Sequence, residues 1–208
     1  LIAVVDYSMG NVTSVQNAFE LLGIETVLTH DRELLDQCSG IVVPGVGAFG
    51  CAALDLEQKG LVQYLKYRQS KKTYILGICL GLQLFFEESE EDPGFEGMHF
   101  FPGKVLRFPA DVKVPHMGWN RIIFARPDPI FAGVPDASHF YFAHSYYANP
   151  ENEEFALAHC HYGTSFAAAV KRNTVYGLQF HPEKSGGVGL KILRNFERMV
   201  SDAADSSR

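Results

Sequence analysis

The sequence predicts an α/β fold: a mixed, largely parallel central sheet flanked by helices, with antiparallel strands added in the second half. Three observations carry this reading. Up to about residue 97, short apolar runs alternate with stretches of helical period, the pattern of parallel strands joined by right-handed crossovers. From 98 to 181 the chain becomes a series of short segments rich in Phe and Tyr, bounded by Pro, Gly, Asn and Asp, which suits antiparallel strands. From 189 to 200 the helical period returns.

Residues 1–6 (LIAVVD) form a near-continuous apolar run, as a strand buried on both faces requires. In 12–22, Val12, Val15, Phe19 and Leu22 share one helical face, and Gly23 closes the helix. IETVLT at 24–29 reads as a strand, RELLDQ as a short helix and GIVVPG at 40–45 as the next buried strand. Residues 51–70 read as one helix with Leu54, Leu61 and Leu65 facing inward, and TYILGI at 73–78 as a strand. A helical run, LGLQLFFEE, follows Cys79. In the second half VLRFP, NRIIFA, HFYFAHSYYA, FALAHCHYG, SFAAAV and VYGLQFHP all read as strands. The last helix places Leu190, Leu193, Phe196 and Val200 inward. No repeat and no long linker interrupts the chain, so one domain over 1–208 is expected, with the polar tail 201–208 frayed.

Composition limits the function. A net charge of −6 argues against a nucleic-acid binder, which would show a basic stripe. The four cysteines are far apart with no C-x-x-C pair, which fits neither a zinc site nor a secreted disulfide framework. His159-Cys160-His161 looks metal-like, but strand alternation sends the two histidines to one face and the cysteine to the other. No metal and no cofactor is expected. The opening residues carry no secretory signal, and no apolar run approaches the ~18–20 residues that span a bilayer. A soluble, cytoplasmic protein is the expectation.

Gly77-Ile78-Cys79-Leu80-Gly81 falls between a strand and a helical run. This is the cysteine version of G-x-S-x-G, the sharp turn that exposes a nucleophile. Flanking glycines permit the turn, the following helix favours thiolate, and the N–H of Leu80 is placed to serve as an oxyanion donor. A lone cysteine is more often a small buried residue, so a base is also required. His181 ends an apolar strand and is followed by Pro182 and Glu183. Such a turn lets the carboxylate hold one imidazole nitrogen while the other faces the nucleophile.

As a set, Gly77-Ile78-Cys79-Leu80-Gly81-Leu82-Gln83 and Gln179-Phe180-His181-Pro182-Glu183 resemble the class I (triad) glutamine amidotransferases, a flavodoxin-like family. Further blocks resemble the branch that forms the glutaminase subunits of imidazole glycerol phosphate synthase, in histidine biosynthesis. They are Asp6-Tyr7-Ser8-Met9-Gly10-Asn11, Pro44-Gly45-Val46-Gly47-Ala48-Phe49, Pro115-His116-Met117-Gly118-Trp119-Asn120, Phe142-Ala143-His144-Ser145-Tyr146 and His181-Pro182-Glu183-Lys184-Ser185. The resemblance runs from residue 2 to about 200. Ser8 departs mildly from it, since Gly is common there.

The resemblance implies that Cys79 attacks the side-chain amide of glutamine, His181 moves the protons and Glu183 orients His181. The oxyanion hole would use the N–H of Leu80 and one from Val46 or Gly47. Substrate would be held by Gln83, by Glu91 through its ammonium group, and by backbone at Ser145 and Tyr146. The implied partner is a (β/α)8 cyclase in a heterodimer, through which ammonia passes to give imidazole glycerol phosphate and an aminoimidazole carboxamide ribotide. Asn11, Met117, Trp119, Tyr141 and Lys184 are the interface candidates. Ligand binding to the partner would reshape the glycine-rich 44–47 segment and so complete the oxyanion hole. Three other readings stay open from the residues alone: an ammonia donor for another acceptor pathway, a cysteine hydrolase on the same fold, and a glutamine-sensing module without turnover.

Overall fold

The computed structural model describes residues 1–7 and 12–206. The strands are β1 Ile2–Val5, β2 Thr26–Thr29, β3 Gly40–Val43, β4 Tyr74–Ile78, β5 Glu88–Ser89, β6 Gly103–Arg107, β7 His116–Phe124, β8 His139–His144, β9 Tyr146–Pro150, β10 Ala156–Tyr162, β11 Thr164–Arg172 and β12 Val175–Leu178. The α-helices are α1 Val12–Leu21, α2 Arg32–Asp36, α3 Phe49–Gln58, α4 Leu61–Ser70, α5 Leu80–Gln83 and α6 Gly186–Asp205. A nine-stranded sheet runs in the order β2-β1-β3-β4-β12-β11-β10-β7-β8, and β5-β6-β9 form a second sheet of three.

The β2-β1-β3-β4-β12 half is parallel throughout, and the β12-β11-β10-β7-β8 half is antiparallel. The change from crossover units to short aromatic segments in the sequence is therefore a change of strand direction within one sheet. Alternation along the buried strands feeds two apolar layers. Ile2, Val4, Val42, Leu76 and Ile78 pack with Val15, Phe19, Ile192 and Phe196. Ala3, Val5, Ile41, Val43 and Ile75 pack with Phe49, Leu56, Leu61 and Leu65 on the other face. Helices on both faces explain why these strands read as unbroken apolar runs.

The structure corrects several boundaries. Residues 51–70 form two helices, because the chain turns at Gly60 with φ of +64°. The break changes the phase, so Leu61 and Leu65 are buried while Leu54 is 48% exposed. Phe49, Ala52 and Leu56 supply the inner face of α3 instead. The helix after Cys79 is only four residues long. Beyond it the 84–86 backbone is engaged by the 98–101 segment, with Met98 N–H donating to Leu84 O and Phe100 N–H to Phe85 O. Phe85 packs on Phe100 and Phe86 stacks on Phe101. The run HFYFAHSYYA divides at Ser145 between two sheets, β8 pairing with β7 and β9 with β6. The last helix begins at Gly186 and continues to Asp205, into the stretch expected to fray.

Candidate active site

Four chain segments meet beyond the carboxyl ends of the parallel strands. The 44–47 segment follows β3, Cys79 follows β4, His181 lies just beyond β12, and Tyr7 lies beyond β1. This is where open α/β sheets place their sites. Close approach of these segments explains the glycines. A Cβ on Gly81 would stand 1.8 Å from Val43 O, and one on Gly45 would stand 2.3 Å from the Tyr7 hydroxyl. Tyr7 donates to Pro44 O and anchors the same segment from behind; burial pushes its phenol pKa up.

Cys79 has φ of +54° and ψ of −108°, a conformation L-residues rarely adopt and one found where a side chain must be aimed. Its N–H donates to Leu178 O at 2.8 Å, tying the turn to β12. Leu80 opens α5, and the first N–H groups of a helix have no partner within it. With so short a helix, however, few peptide dipoles align, so the sulfur gains far less from a macrodipole than the sequence led us to expect.

His181 makes a side-chain hydrogen bond to Cys79, and its Nδ1 lies 2.7 Å from Glu183 Oε1. Burial works against a charged imidazole here, but hydrogen bonds and charge from Cys79 and Glu183 outweigh it and raise its pKa to about 10. The turn that carries it is pinned by Ser185, whose Oγ donates to His181 O at 2.6 Å and accepts from Tyr141 N at 2.9 Å. His116 and His144 sit nearby as a pair, Nδ1 to Nε2 at 2.9 Å. Burial lowers them to about 4 and about 3, so both are neutral. Of these three histidines only His181 is held in its charged form.

Val46, Gly47, Cys79, Leu80, Gln83, Glu91, Pro115, Met117, Ala143, His144, Ser145 and Tyr146 line a cavity of about 260 Å³. The nucleophile, oxyanion and substrate candidates of the sequence thus share one pocket, with His181 and Glu183 behind the sulfur. Glu91 has a further contact: its Oε2 accepts from Phe49 N at 3.0 Å, and Asp92 Oδ2 accepts from Gly50 N at 2.7 Å. These two carboxylates cap α3, whose own N-cap residue, Ala48, has no side chain to do so. Burial raises the Glu91 pKa, and the bond from Phe49 partly offsets it.

Gln83 is 4% exposed, and its Nε2 donates to Tyr146 O at 2.8 Å and to Gln179 Oε1 at 3.3 Å. Both amide hydrogens are thereby used, leaving Oε1 as the group it can offer a ligand. Gln179, absent from the candidates, touches the sulfur: its Nε2 lies 3.8 Å from Cys79 Sγ. A signal for it was present, because Gln179 and His181 are two apart at a strand end and so share a face.

Four of the interface candidates, Met117, Trp119, Tyr141 and Lys184, lie together beside the pocket. Met117 and Trp119 project from β7, 64% and 58% exposed. Trp119 meets Tyr141 edge-on at 6.2 Å, and Lys184 Nζ lies 6.0 Å from the Tyr141 ring centre. Met117 also lines the cavity, joining patch to pocket. Asn11 lies outside the described residues.

Residues 3–199 match the family described as "Glutamine amidotransferase class-I". The chain is 45% identical over 205 residues to imidazole glycerol phosphate synthase subunit HisH of Moorella thermoacetica, covering 99% of this chain and 98% of that protein. It is 46% identical over 202 residues to the HisH subunit of Geobacillus kaustophilus, covering 94% and 95%. Among solved structures, PurLQS from Thermotoga maritima superposes with a TM-score of 0.77 at 20% identity, covering 96% of this chain and 98% of that one. A crystal structure of a glutamine amidotransferase superposes with a TM-score of 0.76 at 19% identity, covering 96% and 98%. These structural likenesses speak to the fold, and the sequence matches speak to descent: the chain belongs to the class-I glutamine amidotransferase family.

Proposed function

We propose that this chain hydrolyses glutamine to glutamate and ammonia through a glutamyl thioester on Cys79. The observation that carries the reading is the aimed Cys79 sulfur, bonded to an imidazole that Glu183 holds at 2.7 Å. The thiolate attacks the side-chain amide carbon, and the resulting oxyanion is met by N–H groups of Leu80 and of the Val46–Gly47 stretch. His181 passes its proton to the departing ammonia. The neutral ring then takes a proton from the water that cleaves the thioester, with Glu183 holding Nδ1 throughout and steadying the ring whenever it is charged. Gln83, Glu91, Ser145 and Tyr146 hold the substrate. A cavity of about 260 Å³ is small beside the ~300–1,000 Å³ of drug-sized sites, which favours a free amino acid over a peptide.

The ammonia goes to a (β/α)8 cyclase that makes imidazole glycerol phosphate and aminoimidazole carboxamide ribotide in histidine biosynthesis, in the cytoplasm. Support comes from the 45% and 46% identity to HisH subunits over nearly the whole chain. The patch of Met117, Trp119, Tyr141 and Lys184, with Asn11, is the docking surface for that partner. Large exposed aromatic and thioether side chains suit interface anchors. The 44–47 segment, where Gly47 has φ of +108°, is the element that partner ligands would reshape.

The test is glutamate release by the chain alone, with the cyclase, and with the cyclase and its nucleotide, using Cys79→Ala as the blank. Low activity that rises sharply with partner and nucleotide is the expected result. Activity indifferent to the cyclase would reject the coupling, and no activity in any condition would reject the glutaminase. Gly47→Pro should abolish stimulation by the nucleotide while leaving cyclase binding intact; unchanged stimulation would remove the 44–47 segment from the coupling.

A further inference from the structure

Among the described residues, the sulfur of Cys79 has three polar neighbours. His181 bonds to it, Ala143 O lies 3.8 Å away as an acceptor for the thiol hydrogen, and Gln179 Nε2 lies 3.8 Å away as a donor. A carbonyl lone pair favours the thiol, whereas an amide N–H favours the thiolate. Which end of the Gln179 amide faces the sulfur therefore matters, and the surrounding bonds decide it. Tyr146 O can only accept, so the Gln83 group that meets it at 2.8 Å is its NH2. The same NH2 meets Gln179 at 3.3 Å, which requires the Gln179 oxygen on that side. The Gln179 NH2 is left on the side of the sulfur. Gln179 is fully buried, so bulk solvent does not compete for these bonds.

We infer that Gln179 is a further catalytic residue, donating a hydrogen bond to the Cys79 thiolate in an orientation that Gln83 imposes from the Tyr146 carbonyl. The inference rests on Cys79 being the nucleophile, as proposed above. It assigns Gln83 a second task besides contact with substrate. The other titratable groups around the sulfur are His181 with Glu183 behind it, Tyr7 from beyond β1, and His144 and Glu91, which line the same cavity; none of them bonds Gln179.

The experiment follows alkylation of Cys79 by iodoacetamide against pH, without glutamine, in the full chain. Products are resolved by peptide mass spectrometry because the exposed Cys51 is alkylated as well. Gln179→Met keeps the bulk and removes the donor, and should move the Cys79 midpoint up by about one pH unit. Gln83→Met leaves Gln179 in place but frees its amide to turn, and should move the midpoint the same way by less. The second variant decides the matter if the first does not fold, as judged by its thermal midpoint. A reactive wild type with unmoved midpoints in the folded variants overturns the role of Gln179 alone. A wild-type Cys79 that resists alkylation across the whole range overturns the nucleophile and Gln179 together.

Discussion

Replacing Glu183 by Gln tests whether the carboxylate holds His181 in its charged form. The side chains of His181 and Glu183 are 3% and 1% exposed, and the contact is 2.7 Å, so solvent screens it little. A hydrogen bond to a charged group contributes about 1.5–3 kcal/mol, and each pK unit corresponds to about 1.36 kcal/mol. Losing the charge should therefore lower the His181 midpoint from about 10 by about 1–2 units. If the same energy is lost from the transition state, kcat/KM for glutamine falls by roughly 10- to 150-fold. The midpoint is read from the imidazole C–H resonance during NMR titration, and kcat/KM from glutamate release with the cyclase present. Stability changes with a definite sign as well. The folded midpoint lies above the free value of 6.5, so the protonated imidazole stabilises the fold fully below about pH 6.5. That contribution is lost as pH rises toward 10, and the variant should flatten this slope in urea midpoints. A His181 midpoint within about 0.3 units of wild type, with kcat/KM within about threefold, would refute the electrostatic role of Glu183.

Three further outcomes follow from the same geometry. Cys79→Ala and Cys79→Gly should both lack glutamate release. The glycine variant should be the more stable by on the order of 1 kcal/mol in chemical denaturation, since it relieves the positive φ of +54°; equal stability would mean the turn is unstrained. Gly81→Ala drives a Cβ to 1.8 Å from Val43 O and should cost about 3 kcal/mol or more, read as a lowered urea midpoint or loss of soluble protein. Trp119→Ala should leave thermal stability within about 0.5 kcal/mol of wild type, because the side chain is 58% exposed. It should weaken cyclase binding by at least roughly 30-fold in calorimetry, and undiminished binding would move the interface elsewhere.

Much of the fold was legible because the chain carries its periodicities locally. The apolar runs IAVV, GIVV and YILGI are buried on both faces, as their lack of alternation requires. The boundaries that went astray depend on contacts the sequence does not display. Gly60 breaks 51–70 into two helices through its left-handed backbone. The helix after Cys79 stops at Gln83 because the 84–86 backbone bonds to 98–101. At Ser145 an unbroken aromatic run crosses from one sheet to another. In each case distant pairing overrides a local pattern that reads smoothly.

The site divides along the same line. The sequence by itself determined the cysteine turn, the His-Pro-Glu turn and the glycines that let segments approach, since each is a short motif with its own stereochemistry. Only the tertiary structure decided that Glu91 and Asp92 cap α3 beside the 44–47 segment. It alone set the neutral pair His116 and His144 against the charged His181. The orientation of the Gln179 amide belongs to the same class. Gln83 and Gln179 are 96 positions apart, and an amide turns at almost no cost until buried partners assign its two ends. Polar groups brought together from remote strands acquire their direction and charge from one another, and that information exists only once the chain is folded.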